Sequence, residues 1–108
     1  MLTIYPVILE TIQMLRPIRG RIERRDRDLG RQLRRAASSV ALNVAEGMYS
    51  RGGNRSARYH TALGSARETM ACLEVAVAMA YLEHADAVIV DRLDRIVGTL
   101  VRLVQRNA

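Results

Sequence analysis

Apolar residues recur every three or four positions through four stretches of this 108-residue chain, and only short links separate the stretches. That spacing keeps one face of an α-helix apolar, and nowhere does the strict alternation of a half-buried strand appear. The first stretch, from Thr3 or Ile4 to Ile22, aligns Val7, Ile8, Thr11, Ile12, Leu15, Ile18 and Ile22. Pro6 is tolerated in a first turn. Pro17 lies inside the pattern and predicts a kink or an early break. After the charged link ERRD (23–26), a second helix is expected over Arg27–Glu46, with Leu29, Leu33, Ala36, Ala37, Val40 and Val44 inward. Gly30 weakens its first turn, and Gly47 is placed to end it as a left-handed cap.

MYSRGG (48–53) reads as a loop. Asn54 or Ser56 can cap a third helix reaching about Leu82. Its seam of Tyr59, Leu63, Ala66, Met70, Leu73, Val77 and Ala80 steps alternately by four and three, as in a bundle. After a turn at His84–Asp86, a fourth helix is expected over Ala87–Gln105. It carries two apolar stripes: Ile89, Leu93, Ile96, Leu100 and Leu103, then Val90, Val97, Val101 and Val104. One stripe fills a core; the second points to a subunit interface, with burial on all sides as the alternative. Short links between long helices make neighbours antiparallel. The expected fold is all-α, an up-down-up-down antiparallel four-helix bundle forming a single domain over residues 1–108.

The chain has no Phe or Trp, so its core rests on Leu, Ile, Val, Met and many Ala. Helices can then approach closely but bury little area per side chain, a further mild argument for oligomerisation. The one cysteine, Cys72, excludes an intramolecular disulfide and is expected as a reduced core residue. No secretory signal opens the chain, and the longest apolar run, VAVAMAYL (75–82), is too short to span a bilayer. A soluble cytoplasmic protein is expected.

If helices 2 and 3 fold back about Gly52, Arg35 faces Glu68, Ser38 and Ser39 face Gly64 and Ser65, and Asn43 faces His60. Small residues then meet small residues, and an Arg35–Glu68 ion pair closes one end. Glu46 can accept from loop amides or pair with Arg51 or Arg55. The polar positions Arg35, Asn43, Glu46, Gly47, Gly64, Ser65 and Glu68 thus read as a structural motif setting register.

The charges tell a different story. All 17 basic residues are Arg, and residues 1–58 hold 12 of them against 5 carboxylates, whereas residues 59–108 hold 5 against 6. Arg24, Arg27, Arg31 and Arg34 step by three or four along helix 2, and Arg51, Arg55 and Arg58 form a second group beyond it. Glu23, Asp26 and Asp28 partly neutralise the first group, so a merely solvated charged face competes with phosphate binding. As a binding surface these seven arginines would contact nucleic acid, mainly at phosphates and with little sequence preference. Tyr49 beside the loop can stack on a base.

Catalysis finds no support: His60 and His84 are isolated, no zinc spacing exists, and no serine sits in a nucleophile elbow. The loop lacks a GxxxxGK[ST] frame. A non-enzymatic protein with no cofactor and no metal is expected.

RRAASSVALNVAEG (34–47), with Arg51, Tyr59 and ALGSARETMACLEVA (62–76), resembles the bacterial four-helix bundle proteins encoded by intervening sequences in large-subunit ribosomal RNA genes. Gly64, Ser65 and Glu68 match a second element of that family more loosely. The resemblance implies a four-helix protomer in a ring-like homopentamer with a positively charged surface. A related branch, the accessory variability proteins of diversity-generating retroelements, is similar in fold and works with a reverse transcriptase and RNA. The partners implied are therefore further copies of the chain, RNA before DNA, and a reverse transcriptase. The alternative function is an oligomeric scaffold whose basic face docks an acidic protein. This chain is more Arg-rich before helix 2 than the family pattern, and it carries Pro17 inside helix 1.

Overall fold

The computed structural model describes residues 2–106. Four helices, α1 (Ile4–Arg25), α2 (Arg27–Met48), α3 (Gly52–Ala78) and α4 (Ala87–Arg106), account for nearly all of them, and no strand occurs among the described residues. Each helix packs on its neighbours in sequence and α4 returns to α1, closing the bundle. The core runs its length through Ile8, Leu15, Ile22, Leu33, Val44, Leu73, Ile89, Ile96 and Leu100.

α1 is not broken at Pro17. Pro17 and Gln13 both face solvent, while Leu15, Ile18 and Ile22 on the other side are buried and hold the helix to the core. The helix continues past Ile22 to Arg25, so the link shrinks from ERRD to Asp26 alone. Asp26 is extended (φ −156°, ψ 99°); its N–H donates to the Ile22 carbonyl at 2.8 Å, and its Oδ1 accepts from Leu29 N–H at 3.0 Å. One residue thus stops α1 and caps α2. Gly30 fits this tight corner because a Cβ there would run into Glu23 of α1, with Glu23 Cα at 3.2 Å.

Gly47 is not a left-handed cap. It is helical and buried, and α2 runs on to Met48. A Cβ at position 47 would overlap the Tyr59 ring, 2.7 Å from Cδ1, so the glycine is there to admit α3. The left-handed residue of this region is Gly52 (φ +56°), at the start of α3. α3 consequently begins before Asn54, with Arg51 at its N-cap position.

α3 also ends earlier than the apolar pattern suggests, at Ala78. Tyr81 N–H donates to the Ala76 carbonyl at 2.8 Å and Ala80 N–H to Val77 at 3.0 Å, with Ala80 itself at φ +62°. This is a Schellman end carrying alanine where glycine is usual. Tyr81 fixes it from outside, its hydroxyl donating to Asp26 Oδ2 at 3.1 Å while Arg25 sits 5.6 Å from its ring centre. Of the expected α3 seam, Tyr59, Leu63, Ala66 and Leu73 are buried, Met70 and Val77 half-buried, and Ala80 exposed; Ala62, Thr69, Cys72 and Ala76 complete the face. On α4, Asp86 caps the start through Val88 and Ile89 N–H, the first stripe is buried, and the second is half-buried at the rim.

Two substitutions test these backbone assignments by urea unfolding. Gly47→Ala is expected to destabilise by about 1–3 kcal/mol, since Tyr59 has no room to retreat. Ala80→Gly is expected to stabilise by about 1 kcal/mol by removing the left-handed penalty.

Candidate nucleic-acid interface

The single-residue corner at Asp26 folds the Arg-rich end of α1 back against the Arg-rich start of α2. Between them lies a groove of about 410 Å³ lined by Gly20, Glu23, Arg24, Arg27, Arg31 and Arg34. A smaller hollow of about 80 Å³ continues it along the α1/α2 seam, where Arg16, Arg19, Arg34 and Ser38 rim a floor of Leu15, Leu33 and Ala37. Arg34 belongs to both. The four arginines expected on α2's outer face come together, but Arg24 reaches the groove from the last turn of α1, and α1 also places Arg16 and Arg19 at the adjoining hollow. Those two were missed because Pro17 obscured the helix; once α1 is continuous, Arg16, Arg19 and Glu23 fall at i, i+3 and i+7 on one face.

Charge is sorted across α2. Only Glu23 enters the groove, where it lies 3.4 Å from Arg19 Nε in a partly exposed pair of little strength. Among the described residues, Arg24, Arg27, Arg31 and Arg34 form no ion pair. Asp26 and Asp28 line a separate hollow on the α2/α3 side, with Gln32, Glu68 and Cys72. They neutralise the arginine stripe less than their sequence proximity suggests. In that hollow, burial and then the Glu68 charge raise the Cys72 thiol pKa, keeping it protonated at neutral pH.

Arg51, Arg55 and Arg58 are not part of this groove. They stand at the opposite end of α2, since thirteen residues of helix from Arg34 to Gly47 span roughly 20 Å. Two of them hold the hairpin together. Arg55 Nε donates to the Gly47 carbonyl at 3.1 Å and the Ser50 carbonyl at 2.8 Å, covering the end of α2. Arg58 pairs with Glu46 at 3.0 Å and lies 3.5 Å from Asn43 Oδ1, so Glu46 pairs with neither Arg51 nor Arg55. Arg51 is exposed. Burial, opposed by the Arg55 charge, raises the Tyr59 phenol pKa beside this network.

The α2/α3 motif sets register through Ser65 Oγ, which donates to Ser39 Oγ at 2.7 Å. Asn43 Nδ2 donates back to the Ser39 carbonyl and hydroxyl at 2.9 and 3.0 Å instead of meeting His60, which is exposed. Arg35 and Glu68 form no ion pair; both lie in solvent and Glu68 turns to the acidic hollow. Gly64 is exposed, with nothing within 4 Å of where its Cβ would stand. Among the described residues, no group of His, Cys, Asp and Glu could hold a metal ion, and no helix is long and apolar enough to cross a membrane.

The two sets of arginines are separable by stability. Arg55→Ala is expected to cost about 1–2 kcal/mol, because two carbonyls at the end of α2 lose a charged donor. Arg31→Ala is expected to stay within about 0.5 kcal/mol of the parent. Urea unfolding of the two variants side by side measures the difference.

No curated protein and no solved structure matches the chain. A family model described as 23S rRNA-intervening sequence protein matches residues 12–102, which takes in the α1/α2 groove, the α2/α3 polar seam and most of α4. The four-helix bundle is consistent with that match, and the chain belongs to the 23S rRNA-intervening sequence protein family.

Proposed function

We propose that this protein is a non-enzymatic accessory protein of the cytoplasm that binds nucleic acid, RNA before DNA, through phosphate contacts from the α1/α2 groove. The carrying observation is the groove itself: four arginines line it against one carboxylate, and Arg16 and Arg19 rim the hollow that adjoins it. Guanidinium groups on two facing helices suit the forked contacts that phosphates accept. The family's description ties it to an intervening sequence of 23S rRNA, which makes RNA the first nucleic acid to try.

The same reading includes self-association. Val90, Val97, Val101 and Val104 form a stripe on α4 that the protomer covers only in part. A core without Phe or Trp gains from a second apolar contact of this kind. The family resemblance makes a homopentamer the assembly to expect.

A second reading is favoured by Leu42 and Tyr49. Leu42 lies on α2 and Tyr49 is the residue that follows its end, and they are 65% and 89% exposed. That apolar pair suits a protein partner, with the chain acting as an oligomeric scaffold such as a reverse transcriptase accessory subunit.

Retention on RNA across a salt series separates the two. Binding through four or more arginines is expected to weaken steeply between about 50 and about 200 mM salt, with a log–log slope near −3 for a single strand. Replacing Arg27, Arg31 and Arg34 together by Ala is expected to flatten that slope by about 2. No retention at low salt, or unchanged retention after the triple replacement, would overturn the RNA reading in favour of the scaffold. Light scattering at micromolar concentration is expected to show an oligomer; a monomer would contradict the role given to α4.

A further inference from the structure

We infer that the α1/α2 groove is a slot for one nucleic-acid strand, so that the ligand class is single-stranded RNA and not duplex. This rests on the reading of the groove as a phosphate-binding surface and adds to it the shape of what fits. The cationic groups stand on both walls, Arg24 from α1 and Arg27, Arg31 and Arg34 from α2, and Arg16 and Arg19 of α1 rim the hollow that adjoins it. A strand between them meets guanidinium groups from two sides. The groove is a concavity of about 410 Å³, and a positively charged concavity that tracks one backbone is how proteins hold single strands. Duplex RNA is instead read across its wide, shallow minor groove and the flanking phosphates. That calls for a convex or broad face, and here the arginines face into a concavity.

The slot is held open by Gly20. It lies inside α1, where glycine weakens a helix by about 1 kcal/mol relative to alanine. No neighbour requires it: nothing lies within 4 Å of where its Cβ would stand. This sets it apart from Gly30 and Gly47, whose missing side chains admit Glu23 and Tyr59. Gly20 lines the groove, where a Cβ would meet no neighbouring atom.

The test uses the full chain, a fluorescein-labelled single-stranded oligouridylate and a duplex RNA of equal length, with binding read by anisotropy and folding by thermal melting. The parent is expected to bind the single strand about tenfold or more tightly than the duplex, a free-energy gap of about 1.4 kcal/mol or more. Gly20→Leu is expected to melt higher than the parent yet bind the single strand about tenfold more weakly, leaving duplex binding unchanged. Gly20→Ala, which adds one methyl group, is expected to melt higher and keep most of its affinity. Arg31→Ala with Arg34→Ala is expected to weaken both RNAs. If Gly20→Leu binds the single strand like the parent while the arginine variant is weakened, the slot is wrong and phosphate binding at the rim stands. Duplex bound as tightly as single strand also overturns the slot. If the arginine variant loses nothing, the slot and the RNA reading fall together.

Discussion

The ring of Tyr59 occupies the space that any side chain on residue 47 would need. This one contact brings α3 against the end of α2, and the polar seam behind it follows from that closeness. Ser39 can reach Ser65, Asn43 can turn back along its own helix, and Arg58 can span to Glu46 only because the two helices are separated by small residues. Ala36, Ala37, Ala41, Ala62 and Ala66 are all buried nearby. Alanine contributes little apolar area, so the pair depends on close packing and satisfied hydrogen bonds. The family motif is therefore mostly a prescription for how two helices meet.

The other side of α2 is free to do something else. Its arginines are not needed for the hairpin, and the corner at Asp26 places them opposite those of α1. Asp26 joins the two regions: it caps α2, and it accepts from Tyr81, which in turn fixes the end of α3. Burial, followed by the hydrogen bond to Asp26 and its charge, raises the Tyr81 phenol pKa, with Arg25 opposing. The phenol therefore stays a donor across the neutral range. Asp26 and Asp28 are turned toward α3, whereas Arg27, Arg31 and Arg34 line the side toward α1. Separation of charge across one helix gives the groove its positive character, beyond what the overall balance of +6 implies.

The bundle was legible because each helix carries a long apolar stripe and the links are short. That small residues of α2 and α3 meet was legible too, but of the four expected there only Ser39 and Ser65 bond, while Ser38 and Gly64 are exposed. What escaped was mostly chemistry between residues distant in sequence. Gly47 looks like a cap until Tyr59 is known to lie against it. Arg55 looks like a free charge until it is seen reaching back to Gly47. The end of α3 has no glycine to mark it, because Ala80 adopts the left-handed conformation under the hold of Tyr81 and the buried Leu82. Arg16 and Arg19 were hidden by Pro17, whose effect is absorbed on the solvent side of α1. The Arg35–Glu68 pair shows the opposite error, a plausible register partner that solvent outcompetes. Of the seven arginines expected to bind, four share a groove, two secure the hairpin and one is exposed at the N-terminus of α3.

Division of labour between the two ends of α2 is the central claim, and the guanidinium groups can report on it directly. In an isotope-labelled protein, the Nε–Hε resonances of arginine can be followed by NMR as a short single-stranded RNA is added. The largest shifts are expected at Arg19, Arg31 and Arg34, with Arg55 unmoved because its Nε is already committed to Gly47 and Ser50. Shifts confined to Arg51, Arg55 and Arg58, with the α1/α2 arginines silent, would contradict the assignment of the groove.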